Sequence, residues 1–228
     1  MTIMVCRWEE DGWTAPEPAS FNGDFRNHEP HITPDGQTLY FGSMRPNPER
    51  PEMRRPYGIW KVERSKDGWG PASYAGYGMY VTTTADGIIY VTNVESEDSM
   101  QHGTARTELI NGRFGPLVRQ TGGVEKPAPG RRSGRHPCIA PDESFIIFDS
   151  YTIEHPGGDG HLFVCFRQDD GSWGQAHDLS KIFGTEGDIA ASLSPDGRCL
   201  FFSTGADIYW IGMEVINRLR KDMERPLF

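Results

Sequence analysis

The stretch Glu29-Pro30-His31-Ile32-Thr33-Pro34-Asp35-Gly36-Gln37-Thr38-Leu39-Tyr40-Phe41-Gly42-Ser43-Met44-Arg45-Pro46 places a short turn directly before an apolar run. In the turn Pro34 presets one dihedral, Asp35 bonds its own backbone and Gly36 accepts a positive φ. The run Thr38-Leu39-Tyr40-Phe41 has the aromatic and aliphatic character of a strand buried on both faces. Three more turns of this kind follow, at Thr84-Ala85-Asp86-Gly87, Ala140-Pro141-Asp142-Glu143 and Ser194-Pro195-Asp196-Gly197. Each precedes its own run: Ile88-Ile89-Tyr90-Val91, Phe145-Ile146-Ile147-Phe148 and Cys199-Leu200-Phe201-Phe202. A repeat of more than 50 residues built on a hairpin is the signature of a radial or solenoidal β-array.

Each repeat carries a third run: Gly58-Ile59-Trp60-Lys61-Val62, Arg106-Thr107-Glu108-Leu109-Ile110, His161-Leu162-Phe163-Val164-Cys165-Phe166 and Asp207-Ile208-Tyr209-Trp210-Ile211. After the first three of these comes a second turn mark: Asp67-Gly68-Trp69, Asn111-Gly112-Arg113-Phe114 and Asp170-Gly171-Ser172-Trp173. Asp-Gly and Asn-Gly are strong hairpin signals, so the aromatic that follows is expected to begin a fourth strand. The fourth repeat lacks this mark and runs instead into a short helix at Asn217-Arg218-Leu219-Arg220, whereas Asp11-Gly12-Trp13-Thr14-Ala15-Pro16 carries the mark at the other end. This complementarity predicts an all-β chain: a single β-propeller of four blades of four antiparallel strands, closed by an N-terminal strand pairing with the last blade. The blades span about 24–76, 77–121, 134–181 and 186–217, with the closing strand at 11–20. Two β-sandwich domains are the alternative. Trp13, Trp69, Phe114 and Trp173 are expected to pack between blades.

The 228 residues include 27 Gly and 17 Pro, too much punctuation for a helical bundle. No apolar run approaches a bilayer span, and Met1-Thr2-Ile3-Met4-Val5 has no export-signal character, so a cytoplasmic monomer without membrane contact is expected. The formal charge of -9 disfavours nucleic acid as a partner. Cys6, Cys138, Cys165 and Cys199 have no metal or redox spacing.

The quoted stretch resembles the PD40 repeat, the WD40-like repeat of TolB-type propellers, and Ile139 through Trp173 and Asp207-Ile208-Tyr209-Trp210 are similar to the same family. The second repeat departs from it, with Tyr80-Val81 in place of Glu-Pro, and the third has His136-Pro137. The resemblance implies a bacterial propeller used for binding, and many such relatives are exported; it brings no catalytic residue with it.

Strand parity puts the tight turns on one face and the long loops 44–57, 94–104, 121–136 and 150–160 on the other, around the channel mouth, where binding is expected. The fourth blade is short there, at Thr204-Gly205-Ala206. Arg45, Arg50, Arg54 and Arg55 in one loop, and Lys126, Arg131, Arg132 and Arg135 in another, suit a carboxylate or phosphate. His28, His102, His136, His155 and His161 lie in or beside these loops, with His31 three residues into an inner strand, and with Glu29, Asp149 or Asp188 they offer a divalent metal its ligand types. Otherwise no cofactor is expected. The ligand-binding set is thus His28, Glu29, Arg45, Arg135, His136, Asp149 and Asp188. The leading function is a module recognising a partner protein or a small polar ligand, anionic ones included; the alternative is a metal-assisted hydrolase or lyase acting on an acidic carbohydrate. Ser43, Ser150 and Ser203 read as repeat residues, and neither a G-x-S-x-G elbow nor a phosphate cradle is present.

Overall fold

The computed structural model describes residues 1–66, 68–154, 160–205 and 207–224. Asp67, His155, the Pro156–Asp159 part of the 150–160 loop and Ala206 therefore lie outside the described residues. Four strands come first: β1 (Met4–Val5), β2 (Trp8–Glu9), β3 (Gly12–Trp13) and β4 (Glu17–Pro18). Blade 1 holds β5 (Asn27–Ile32), β6 (Thr38–Ser43), β7 (Gly58–Ser65), β8 (Gly68–Trp69) and β9 (Ser73–Gly76). Blade 2 holds β10 (Met79–Thr83), β11 (Ile89–Asn93), β12 (Gly103–Thr107), β13 (Leu109–Ile110), β14 (Arg113–Phe114) and β15 (Val118–Arg119). Blade 3 holds β16 (Arg135–Ile139), β17 (Phe145–Ser150), β18 (His161–Phe166) and β19 (His177–Asp178), followed by helix α1 (Leu179–Phe183). Blade 4 holds β20 (Asp188–Leu193), β21 (Cys199–Thr204) and β22 (Asp207–Gly212), and helix α2 (Glu214–Glu224) follows it. No helix among the described residues is long and apolar enough to cross a membrane.

Each blade is an antiparallel meander, as the turn marks imply, and the four stand in a propeller arrangement. Successive blades share one apolar cluster each: Tyr40, Ile59 and Ala75 meet Val81, Ile89 and Val91; Tyr90 meets Ile139, Ile146 and Trp173; Ile147, Leu162 and Val164 meet Leu200 and Phe202. Leu179 and α2, through Ile216, complete the last of these.

Two details depart from the sequence expectation. The aromatics of the second turn mark do not begin the fourth strand. Trp69 and Phe114 sit in small hairpins, β7 with β8 and β13 with β14, and the fourth strands β9 and β15 come a few residues later. Nor does the Asp11-Gly12-Trp13 mark pair with the last blade. Its strand β3 pairs with β2, β1 pairs with β4, and among the described residues β22 has β21 as its one neighbour. The reason is packing: Ile3, Ala19 and Phe21 bury against Leu39, Phe41 and Val62 of blade 1, which fixes the N-terminal segment there. Blade 4 is left with a bare side. Phe201 aligns with Tyr40, Tyr90 and Ile147, which are 4%, 0% and 0% exposed against the following blade, yet Phe201 itself is 39% exposed.

Candidate functional site

The innermost strand of every blade contains the same irregularity. Register slips by one residue between His28 and His31, Met79 and Thr82, Arg135 and Cys138, and Ile189 and Ser192. At each slip one residue adopts a left-handed backbone: Glu29, Tyr80, His136 and Ala190, with φ of 53°, 52°, 44° and 57°. A bulge re-aims the side chain at that position, and a non-glycine residue held there costs about 1–3 kcal/mol. The surrounding structure supplies the compensation. The N–H of three of the four bulge residues is held by a side chain of the preceding blade: Tyr80 donates to Glu29 Oε2 at 3.2 Å, His136 to Thr92 Oγ1 at 2.9 Å, and Ala190 to Asp149 Oδ2 at 3.0 Å. Thr92 and Asp149 occupy one column of the repeat, opposite the residue before the bulge. In blade 1 that column holds Gly42, where an added Cβ would lie 2.5 Å from Tyr57 Oη and 3.1 Å from His28 Cε1. The missing side chain makes room for those two rings, and Glu29 itself takes over the capping.

A second row of bonds runs lower in the channel. His31 Nε2 accepts the Thr83 N–H at 3.1 Å, Thr82 Oγ1 accepts the Ile139 N–H at 3.2 Å, and the Cys138 thiol meets the Leu193 N–H. His31, Thr82 and Cys138 are one column of the repeat. This column makes His31 a blade-to-blade fastener, and burial pushes its imidazole down to about 4.

Of the expected site residues, four come together at the upper end of the channel. His136 Nδ1 is 2.7 Å from Asp149 Oδ2, and His28 Nδ1 is 3.4 Å from Glu29 Oε1. Tyr57 stacks on His28, with centroids 5.5 Å apart, and donates to Glu29 Oε2 at 3.4 Å. Burial alone opposes a charged His136, but the adjoining Asp149, aided by Glu29, outweighs it and raises the imidazole above the ordinary histidine value. Burial would likewise raise the Glu29 carboxyl; the contact with His28, the field of His136 and the Tyr80 N–H instead hold it below the usual range. The site is thus a half-buried array of carboxylates and imidazoles, with Asp149 buried beneath it.

Asp188 stands two residues before Ala190, fully buried, with Oδ2 accepting from the Thr185 hydroxyl. Oδ1 of Asp149, Oδ1 of Asp188 and Nε of Arg135 are buried and have no hydrogen-bond partner among the described residues. Arg135 extends Nη2 to the Ser99 carbonyl at 2.5 Å, and burial followed by the nearby charge of Arg132 lowers its guanidinium. Arg45 does not join this group. It is buried beneath Phe25, Phe41 and Trp60, and it donates to Asn27 Oδ1 and Ser43 Oγ at 2.7 Å and to the carbonyls of Phe21 and Asn22. Arg50 reaches Glu95 at 3.4 Å.

The histidines do not gather. His102 bonds the Ser96 carbonyl at 2.8 Å and His161 bonds Asp178 at 3.0 Å. Among the described residues, no three of His, Cys, Asp and Glu lie close enough to hold a metal ion. Ser43 and Ser150 do share a position, bonding Asn27 and the Arg132 carbonyl, but there blade 4 has Thr204; Ser203 aligns with Asp149.

Tyr80 is the residue that sequence reasoning missed. Its side chain crosses the channel from blade 2 to blade 4, where Oη donates to the Ala191 carbonyl at 2.7 Å, and its ring lies 5.1 Å from that of His136. Burial above all drives its phenol well above the ordinary value. The signal was present, since Tyr80 stands in the column of Glu29 and His136. Below it, the inner strands of all four blades enclose a cavity of ≈ 200 Å³ lined by His31, Thr82, Cys138 and Leu193 among others. Tyr80 therefore forms the floor of the upper site.

No protein-family model matches the chain, and no curated protein does. Among solved structures it is similar to TolB from Acinetobacter baumannii, at 15% identity over 93% of this chain and 49% of that one, with a TM-score of 0.54. It is also similar to a protein of unknown function from Dyadobacter fermentans, at 14% identity over 93% of this chain and 68% of that one, with a TM-score of 0.50. The chain spans about half the length of the Acinetobacter protein. The likeness is one of fold: the chain has a TolB-like β-propeller fold.

Proposed function

We propose that this propeller is a binding module whose upper channel mouth takes a small, neutral, hydroxyl-rich ligand such as a sugar or polyol. The observation that carries this reading is the pair of buried orphan acceptors, Asp149 Oδ1 and Asp188 Oδ1. A buried carboxylate oxygen without a donor costs about 1–3 kcal/mol, and a ligand hydroxyl removes that cost. Tyr80 closes the channel beneath, and His28 with Tyr57 offers a stacked aromatic wall to the apolar face of a sugar ring. An anionic ligand fits less well. Arg45 is occupied by internal acceptors, and the carboxylates Glu29 and Asp149 stand at the site itself.

Calorimetric titration against a panel of neutral sugars, polyols and uronic acids tests the reading. Binding of a neutral member, weakened about tenfold or more by Asp188→Asn, is the expected result, as one charge-assisted hydrogen bond is worth that much. Binding restricted to uronic acids, or unchanged in Asp188→Asn and Asp149→Asn, refutes it. The Asp149–His136 pair also has the form of a general base, so product analysis after incubation with the bound sugar separates a binder from an enzyme.

A further inference from the structure

The N-terminal segment is half of a blade. Shifted by 56 residues, its pairs Met4↔Pro18 and Val5↔Glu17 fall on Trp60↔Tyr74 and Lys61↔Ser73 of blade 1. The same shift carries Trp8↔Trp13 and Glu9↔Gly12 onto Arg64↔Trp69 and Ser65↔Gly68. Strands β1 and β4 therefore reproduce the third and fourth strands of a blade, including the small hairpin between them. They pack on blade 1 through Ile3, Ala19 and Phe21 as one blade packs on the next.

In blade 1 the other edge of the third strand pairs with β6, toward the channel. The corresponding edge of β1 pairs with no strand among the described residues. The Ile3 main chain is used by Ala19 and Asn22, so antiparallel alternation turns the main-chain groups of Met4 and Cys6 to that open edge. Where the missing strands would lie there is a groove of ≈ 680 Å³, walled by β1, by β4 through Phe21, and by Pro30, Ile32, Leu39, Arg64, Gly68 and Trp69 of blade 1. Ile32 is 43% exposed in it. The groove continues the blade-to-blade interface that Leu39, Phe41 and Val62 already form.

We infer that this groove receives an extended apolar strand of a partner protein, added antiparallel to β1 by main-chain hydrogen bonding. Three internal examples define its chemistry. The strands that fill the equivalent place in blades 1 to 3 contain Leu39-Tyr40-Phe41, Ile89-Tyr90-Val91 and Ile146-Ile147-Phe148, short runs of consecutive aliphatic and aromatic residues with no charge. Two of the three belong to a hairpin closed by a turn containing Asp-Gly. A free edge beside a groove whose blade 1 wall includes Ile32 and Leu39 presents both of the elements that strand addition requires, main-chain partners for affinity and side-chain pockets for register.

The test adds a labelled synthetic peptide with the sequence of residues 79–93, the first two strands of blade 2, to the intact chain. Fluorescence anisotropy is expected to show saturable binding. Met4→Pro deletes an edge donor but leaves the bonds to β4 in place, and is expected to weaken binding about tenfold. Ile32→Glu is expected to do the same, whereas Trp13→Ala, outside the groove, leaves it unchanged. In the wild type, hydrogen exchange at Met4 and Cys6 slows on peptide addition, a readout that needs no variant. No saturable binding to folded protein at millimolar peptide overturns the inference, as does equal binding by wild type, Met4→Pro and Ile32→Glu. A concentration-dependent dimer that Met4→Pro dissociates overturns it too, since the groove would then belong to a second copy.

Discussion

Replacing Asp149 separates the two tasks of this carboxylate, holding the bulge of blade 4 and charging His136. Oδ2 meets His136 Nδ1 at 2.7 Å and the Ala190 N–H at 3.0 Å, in a fully buried position. A buried charge-assisted bond is worth about 1.5–3 kcal/mol, and an orphaned buried N–H costs about 1–3 kcal/mol. Asp149→Ala, which loses both, is expected to cost about 3–5 kcal/mol. Asp149→Asn keeps an acceptor for Ala190 and is expected to lose only about 1.5–3 kcal/mol. The pH dependence has a definite sign. Because Asp149 raises His136 above its unfolded value near 6.5, the stabilisation is complete below about 6.5 and fades as pH rises through the raised value. Urea denaturation at pH 6 and pH 9 checks this: the gap between wild type and Asp149→Ala is wide at pH 6 and narrower at pH 9. A gap under about 1 kcal/mol at pH 6, or one equal at both pH values, refutes the assignment.

His31 gives the opposite slope. Its imidazole is held down to about 4, so its share of stability is complete above about 6.5 and is lost as pH falls toward 4. The share is about 3 kcal/mol, and chemical denaturation of wild type and His31→Gln between pH 7 and pH 4 shows whether the acid-side loss disappears with the imidazole. Trp173→Ala is expected to cost about 3–5 kcal/mol, because the ring is buried against Tyr90 and its Nε1 donates to Gln120 at 2.9 Å. Trp13→Ala, at a ring 69% exposed, is expected to stay within about 0.5 kcal/mol in the same thermal melts. Arg45→Ala removes the guanidinium bonds to Asn27 Oδ1, Ser43 Oγ and the Phe21 and Asn22 carbonyls, with an expected cost of about 3–5 kcal/mol. Arg45→Lys recovers little of it, as an ammonium cannot span these acceptors in the plane of a guanidinium, and circular-dichroism melts of the pair decide the point.

What was legible in the sequence was local. Pro-Asp-Gly and Asp-Gly turns fix hairpins within a few residues, so the strand order and repeat count follow directly from them. The pairing of the N-terminal mark depends instead on which apolar faces meet at a distance, and Ile3, Ala19 and Phe21 favour blade 1 over β22. The site divides along the same line. His28, Glu29, His136 and Asp149 were visible because strand parity carries them to one end of the channel. Arg45 was misplaced because its acceptors include carbonyls of Phe21 and Asn22, 24 and 23 residues away, which no motif announces. Trp13 shares a repeat position with Trp69, Phe114 and Trp173, yet it lies in the half-blade, 69% exposed, and packs edge-on against Trp8.

The bulges explain why the site belongs to the row of blades and to no single blade. A left-handed Glu29, Tyr80, His136 or Ala190 is unfavourable by itself, and each of the last three is offset by a hydrogen bond from the blade before it. Loosening one blade therefore releases the bulge of the next, and with it the side chain aimed into the channel. Glu29 has a particular place in this sequence. It caps Tyr80, and among the described residues no side chain of blade 4 caps Glu29 in return, since Ser203, in the column of Asp149, turns its hydroxyl to the Asp207 carbonyl at 3.4 Å. Tyr80 is thus held by a residue at the unsupported head of the row, but also by its own bond to Ala191 across the channel. That cross-channel bond ties the first half of the row to the last, so Tyr80→Phe removes a fastener between blades 2 and 4 while keeping the floor's shape. Hydrogen exchange at Ala190 and Ala191 is expected to quicken in Tyr80→Phe; unchanged protection there shows that blade 4 is held by its contacts with blade 3 alone.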